Sequence, residues 1–142
     1  MTLYAESSAV LARLMDEPAG RSVRERLART EIVFASDLTL IECDRVVIRA
    51  AILGDLTEAD AADRRAHLTT AVAHWNVLRV SADIVERARQ PFPDEPIRTL
   101  DAIHLTSALV ARSASRGLEM LSLDDRIRAA AKKLGFSVLP DA

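Results

Sequence analysis

Four acidic residues, Glu6, Glu42, Asp101 and Asp124, stand where the sequence changes from one pattern to another. Glu6 follows the short apolar run of residues 2–5 and precedes Ser7, Ser8 and an apolar helical repeat. Asp124 follows Met120, Leu121 and Ser122 and precedes an alanine-rich stretch. Both lie at handovers from strand to helix. Glu42 and Asp101 fall in the first turns of helical patterns that are otherwise mostly apolar, with Leu40, Ile41, Val46 and Val47 around the first and Ile103, Leu105, Ala108 and Leu109 after the second. An unpaired buried carboxylate costs several kcal/mol, and a helix N-terminus returns only about 0.3–1 kcal/mol of that. A hard divalent cation, Mg2+ or Mn2+, accounts for such a set, because it takes carboxylate and water oxygens and cancels their repulsion. The same ion can activate water and stabilise a phosphodiester transition state. The structural reading beside this one makes Asp101 a helix cap, Glu42 a capping carboxylate, and Glu6 and Asp124 surface charge.

The elements that must position these acids alternate strand with helix. Strands are expected at residues 2–5, 32–35, 75–80, 119–122 and 136–139. Helices are expected from Ser7 or Ser8, over 21–29, from Ser36 and Asp37 through Leu53, from a Thr57 cap to about Ala73, after Ser81, from Thr99, and over 125–134. Gly54 and Gly135 close two of them. Pro91, Pro93 and Pro96 exclude a helix between Gln90 and Pro96, so that stretch is a loop leading into the Asp101 helix. Such alternation implies one α/β domain spanning residues 1–142, a three-layer α/β/α sandwich around a mostly parallel sheet of four or five strands. In these sheets ligands bind beyond the carboxyl ends of the strands, and that edge is where the four acids would converge.

Composition narrows the rest. A chain of 142 residues suits a single core. Its net charge of −2 gives no overall positive field, so a nucleic-acid surface must be a local patch. The lone Cys43 sits on an apolar helix face and excludes an internal disulfide, which fits a reducing cytoplasm. No run approaches the roughly 18 apolar residues of a membrane helix, and no basic, apolar leader opens the chain. A soluble cytoplasmic protein is expected.

Taken together, Tyr4-Ala5-Glu6-Ser7-Ser8-Ala9-Val10, Thr39-Leu40-Ile41-Glu42, Leu100-Asp101-Ala102-Ile103-His104-Leu105 and Ser122-Leu123-Asp124, followed by Arg126-Ile127 and Ala130-Ala131, resemble the PIN-domain family in order and spacing over nearly the whole chain. The resemblance implies a PIN-like fold and metal-dependent cleavage of RNA. Single-domain members of this size resemble the VapC-type toxins of bacterial toxin–antitoxin pairs, which implies a VapB-like antitoxin as partner and a homodimer. By position, Glu6, Glu42, Asp101 and Asp124 would hold Mg2+ or Mn2+ and carry catalysis, with Ser8 and Ser122 as supporting hydroxyls. The first acid of the family is usually Asp, and here it is Glu6. Asp125 is read as a helix N-terminal charge, and His104 as a packed, hydrogen-bonded helix residue, since Mg2+ prefers oxygen.

Two other classes are set beside the nuclease. A phospho-receiver would place paired acids after the first strand and a lysine after the last, whereas Glu6 is followed by serines and the only lysines are Lys132 and Lys133. A PIN-like domain that binds RNA or a protein without cutting is the remaining alternative.

Overall fold

The structure, a computed structural model, describes residues 1–141. The elements run β1 (Thr2–Ala5), α1 (Ser7–Leu14), α2 (Gly20–Ala28), β2 (Ile32–Ser36), α3 (Asp37–Ile52), α4 (Glu58–Val72), β3 (Asn76–Leu78), α5 (Ala82–Ala88), α6 (Thr99–Ala114), β4 (Leu118–Leu121), α7 (Asp125–Lys133) and β5 (Val138–Leu139). All strand pairs are parallel, in the order β3-β2-β1-β4-β5. The expected sheet is therefore present with five strands. Parallel pairing sends every strand's carboxyl end to one edge.

Side chains alternate across this sheet, and the two faces bury separate cores. Tyr4, Met120 and Val138 stand side by side in register and pack with Leu105, Ala108 and Ile127 of α6 and α7. Ala5, Leu121 and Leu139, one residue on, pack instead with Val10 of α1, Val23 of α2 and Cys43 of α3. A register shift of one residue would exchange the two sets, so the apolar pattern specifies the pairing.

The differences from the sequence reading lie at element ends. β3 is confined to Asn76–Leu78 because its partner β2 ends at Ser36, which pairs with Leu78. β4 ends at Leu121, with Ser122 N still donating to the Leu139 carbonyl at 3.0 Å, and β5 is only Val138–Leu139. Helix α4 starts as expected, with Thr57 Oγ1 accepting from Asp60 N at 3.0 Å. Helix α1 is capped by Glu6, not by a serine, and α6 by Arg98, with Thr99 already helical. The proline loop before α6 is closed by Glu95, whose carboxylate accepts from Phe92 N (2.8 Å) and Ile97 N (2.7 Å). That fixes the approach to Asp101.

Helices α1 and α2 meet most closely at Gly20, where an added Cβ would lie 2.3 Å from the Ala12 carbonyl oxygen. Gly117 has open space around the same position and no positive φ. Gly20→Ala is therefore expected to destabilise the protein by about 1–3 kcal/mol, as overpacking does, while Gly117→Ala stays within about 0.5 kcal/mol. Urea unfolding of both variants checks this, and equal effects would contradict the packing of α1 on α2.

Candidate active site

Glu6 comes directly off β1 and is 4 % exposed, so its carboxylate must find donors inside the protein. Oε1 accepts from Ser8 Oγ and Ser122 Oγ, both at 2.5 Å, and Oε2 accepts from Ser8 N at 2.9 Å. The two hydroxyls are relayed onward: Leu123 N donates to Ser8 Oγ (2.8 Å), and Asp124 N donates to Ser122 Oγ (3.1 Å). Ser8 and Ser122 approach each other at 3.3 Å. Each hydroxyl has one proton and directs it to Glu6, so that approach is not a further hydrogen bond. Glu6 thus ties the β1–α1 junction to the β4–α7 junction. Asp124 caps α7, its Oδ1 accepting from Arg126 N (2.9 Å) and Ile127 N (3.2 Å), while Asp125 is the exposed first residue of the helix, as expected.

Glu42 lies in the second turn of α3 and reaches a different partner set. Its Oε1 accepts from Ser7 Oγ at 2.7 Å and meets His104 Nε2 at 2.5 Å. His104 is 2 % exposed and contacts the Tyr4 phenol through Nδ1 at 3.1 Å. The expected packed histidine is present. The sequence did not reveal its bond to Glu42, which joins residues 62 positions apart. Burial alone raises the Glu42 pKa. Hydrogen bonds from His104 and Ser7, with the attraction of His104, outweigh that and hold the carboxyl below the usual glutamate range. Burial pushes the Tyr4 phenol up, so it keeps its proton, and does the same to the Cys43 thiol, which removes Cys43 as a nucleophile. Asp101, one turn before His104 on α6, pairs with Arg98 at 3.5 Å. An open groove of about 470 Å3 is lined by Asp101 together with Arg98 and Arg126.

The structure therefore links Glu6, Ser8, Ser122 and Asp124 in one hydrogen-bonded chain and Glu42 in a second that starts from the adjacent Ser7; Asp101 stands apart, paired with Arg98. Among the described residues, no three Asp, Glu, His or Cys side chains close around one point as a finished metal cage. The donor chemistry still suits a hard cation at three of the acids. Glu42 Oε2, Asp101 Oδ1 and Asp124 Oδ2 accept no hydrogen bond from the described residues. Glu6 differs, since both of its oxygens are engaged. Tyr4, Ser7 and Arg98 were not picked out from the sequence. Only the spacing of Ser7 next to Ser8 and of Arg98 three residues before Asp101 could have pointed to two of them.

Similarity to known proteins covers the same span. The PIN domain family matches residues 3–133. Ribonuclease VapC46 of Mycobacterium tuberculosis (strain ATCC 25618 / H37Rv) is 34% identical over 137 residues, covering 96% of this chain and 95% of that protein. In fold, the chain is similar to the crystal structure of Mycobacterium tuberculosis VapC20, a sarcin-ricin loop cleaving toxin, with a TM-score of 0.64 at 18% identity over 90% of this chain and 94% of that one. It is also similar to a toxin–antitoxin complex from Klebsiella pneumoniae, with a TM-score of 0.62 at 21% identity over 99% and 97%.

Removing Ser122 Oγ withdraws a donor from buried Glu6 and an acceptor from Asp124 N. Ser122→Ala is expected to cost about 1–3 kcal/mol, the penalty for leaving buried polar groups short of partners. In a Glu6→Gln background the same change should cost clearly less, because the charge it served is gone. A double-mutant cycle by denaturant unfolding measures the coupling, and additive effects would show that Glu6 does not depend on Ser122.

Proposed function

The chain belongs to the PIN-domain family, and from that premise we propose that it is a metal-dependent endoribonuclease that hydrolyses RNA phosphodiester bonds as the toxin of a toxin–antitoxin pair. The observation that carries this reading is the match, over 96% of the chain, to a relative named as a ribonuclease. The open carboxylate oxygens at the carboxyl edge of the sheet support it, because metal-assisted in-line hydrolysis of a phosphodiester brings a hard cation and a water to one place.

In this reading Glu6, Glu42, Asp101 and Asp124 form the catalytic, metal-binding quartet, with Mg2+ or Mn2+ as the ion. When bound, that ion neutralises charge on the reacting phosphate and makes water a better nucleophile. Glu42, Asp101 and Asp124 present their open oxygens. Glu6 supplies its charge and holds Ser8 and Ser122 in place. Arg98 and Arg126, which line the groove at Asp101, take neighbouring phosphates of the RNA. The ion pair between Arg98 and Asp101 is largely exposed on the arginine side and is weak enough to yield to such a phosphate.

The proposed protein partner is a VapB-like antitoxin, in keeping with the toxin–antitoxin complex whose toxin-like fold this chain shares. A homodimer is proposed on the exposed apolar residues of α3 and its end, Ile41, Val46, Ile52 and Leu53. Among the described residues no helix is long and apolar enough to cross a membrane, and the proposed place of action is the cytoplasm, where RNA is available. One observation favours the second reading, a PIN-like domain that binds RNA or protein without efficient cleavage: both Glu6 oxygens are already in use.

Three variants separate the readings. Asp101→Asn is expected to lower Mg2+- or Mn2+-dependent RNA cleavage by more than the roughly 10- to 100-fold that loss of a supporting group costs, with the fold retained. Millimolar Mn2+ should raise the melting temperature of the wild type by mass action. For a nuclease, Glu6→Gln should weaken cleavage strongly and Glu6→Asp should retain part of it. For a non-cutting domain, wild type and Glu6→Gln should be equally inert. Side-by-side cleavage assays decide, with Asp101→Asn as the control for contaminating ribonuclease.

A further inference from the structure

Beneath the acidic edge lies a polar path that the hydrolysis reaction does not by itself require. It runs from Glu42 through His104 to Tyr4, on the sheet face that is otherwise packed with Leu105, Ala108 and Met120. His104 is 2 % exposed and Tyr4 is fully buried, with the hydroxyls of Ser36, Thr39 and Ser107 beside its phenol. A histidine and a tyrosine hydroxyl placed in an apolar layer are destabilising unless every polar atom is matched. Here they are matched end to end.

Proton accounting gives the path a direction. The Ser7 hydroxyl has one proton and donates it to Glu42 Oε1 at 2.7 Å. A carboxylate only accepts, so the 2.5 Å contact between His104 Nε2 and Glu42 Oε1 needs its proton on Nε2. The other ring nitrogen, Nδ1, meets the Tyr4 hydroxyl at 3.1 Å, and this oxygen is fully buried. The ring is therefore held at both nitrogens, with Nε2 donating to Glu42 and Nδ1 against the Tyr4 phenol. Both donors act on Oε1, which leaves Oε2 as the open oxygen.

We infer that His104, held at its far nitrogen by Tyr4, is a positioning residue that keeps the Glu42 carboxylate in one orientation and so presents Oε2 to the divalent ion. The inference rests on Glu42 being a ligand of that ion. Ligating carboxylates that are themselves hydrogen-bonded lose about 10- to 100-fold in metal affinity when the supporting group is removed. A histidine that only fills space would show no such loss as long as its volume is kept.

The test measures Mn2+ affinity directly, by electron paramagnetic resonance of free Mn2+, on purified protein without RNA, alongside the melting temperature of each variant. His104→Leu keeps most of the volume and removes the donor, and should weaken Mn2+ binding at least about tenfold. His104→Gln returns an N–H donor near the position of Nε2 and should recover most of that loss. Tyr4→Phe removes one buried oxygen, releases the far side of the ring, and should weaken Mn2+ binding by a smaller factor in a folded protein. Wild-type affinity in His104→Leu, or equal weakening in the Leu and Gln variants, overturns the inference. If His104→Leu does not fold, Tyr4→Phe decides, and wild-type affinity there overturns it. Glu42→Gln separates the two levels. Unchanged Mn2+ affinity in Glu42→Gln removes Glu42 as a ligand and the inference with it, whereas a loss in Glu42→Gln without one in the His104 variants removes only the positioning role.

Discussion

A buried carboxylate governs how this fold is put together at its functional edge. Glu6 is nearly inaccessible, and an isolated charge there would cost several kcal/mol. Its three hydrogen bonds come from two separate places, the first turn of α1 and the residue after β4. They are available only while β1 and β4 keep the register that sets Ala5 beside Leu121. The same register sorts Tyr4, Met120 and Val138 to one core and Ala5, Leu121 and Leu139 to the other. Charge satisfaction and apolar burial therefore demand one and the same pairing, so a slipped strand would be penalised on both counts.

The edge gains from helix direction as well as from hydrogen bonds. Helices α1, α3 and α7 start within a residue or a few of a strand's carboxyl end, so their N-terminal dipoles face the acids. Each dipole contributes about 0.3–1 kcal/mol, too little to hold a buried charge unaided. Hydrogen bonds decide which carboxylate oxygens are used and which stay open. Glu42 has two donors on one oxygen, and Asp124 has two backbone donors on one oxygen. Both are restrained by bonds that leave the second oxygen unengaged, which is how a protein can fix a ligand before the ion arrives.

The alternation of strands and helices was legible in the sequence because each element carries its own local signal. Thr57 capped α4 as its type and spacing required, and Gly54 and Gly135 ended their helices at positive φ. What local signals could not give was any pairing across the fold. Glu is not among the residues that usually cap helices, so Ser7 and Ser8 were the natural choices for α1. Glu6 takes the role because Ser122, which is 116 residues away in sequence, helps to hold its carboxylate. In the same way His104 was legible as a packed histidine, but not as the partner of Glu42, because no periodicity within α6 encodes a contact to α3. Helix α6 begins at Thr99, as its pattern indicated, but without a side-chain cap, and the Glu95-closed loop leads into that start.

The longer acid at position 6 changes the division of labour among the four carboxylates. Asp is the usual residue there in the family, and Glu adds a methylene between backbone and charge. In this structure the added reach lets one carboxylate meet Ser8 N, Ser8 Oγ and Ser122 Oγ together, and no oxygen is left over. A group in that state can act on a nearby cation through its charge without touching it, since Coulomb attraction is felt beyond contact distance in a partly buried site. The three open oxygens, by contrast, belong to residues whose partners all meet the other oxygen of the same carboxylate. On the proposed reading contact and charge are separable properties of this edge: Glu42, Asp101 and Asp124 would supply the first, and Glu6 would supply the second together with the bond that keeps β1 and β4 aligned. Any rearrangement that brought Glu6 itself into contact would have to release at least one of its three donors, and because Ser122 also receives Asp124 N, the cap of α7 would feel that release.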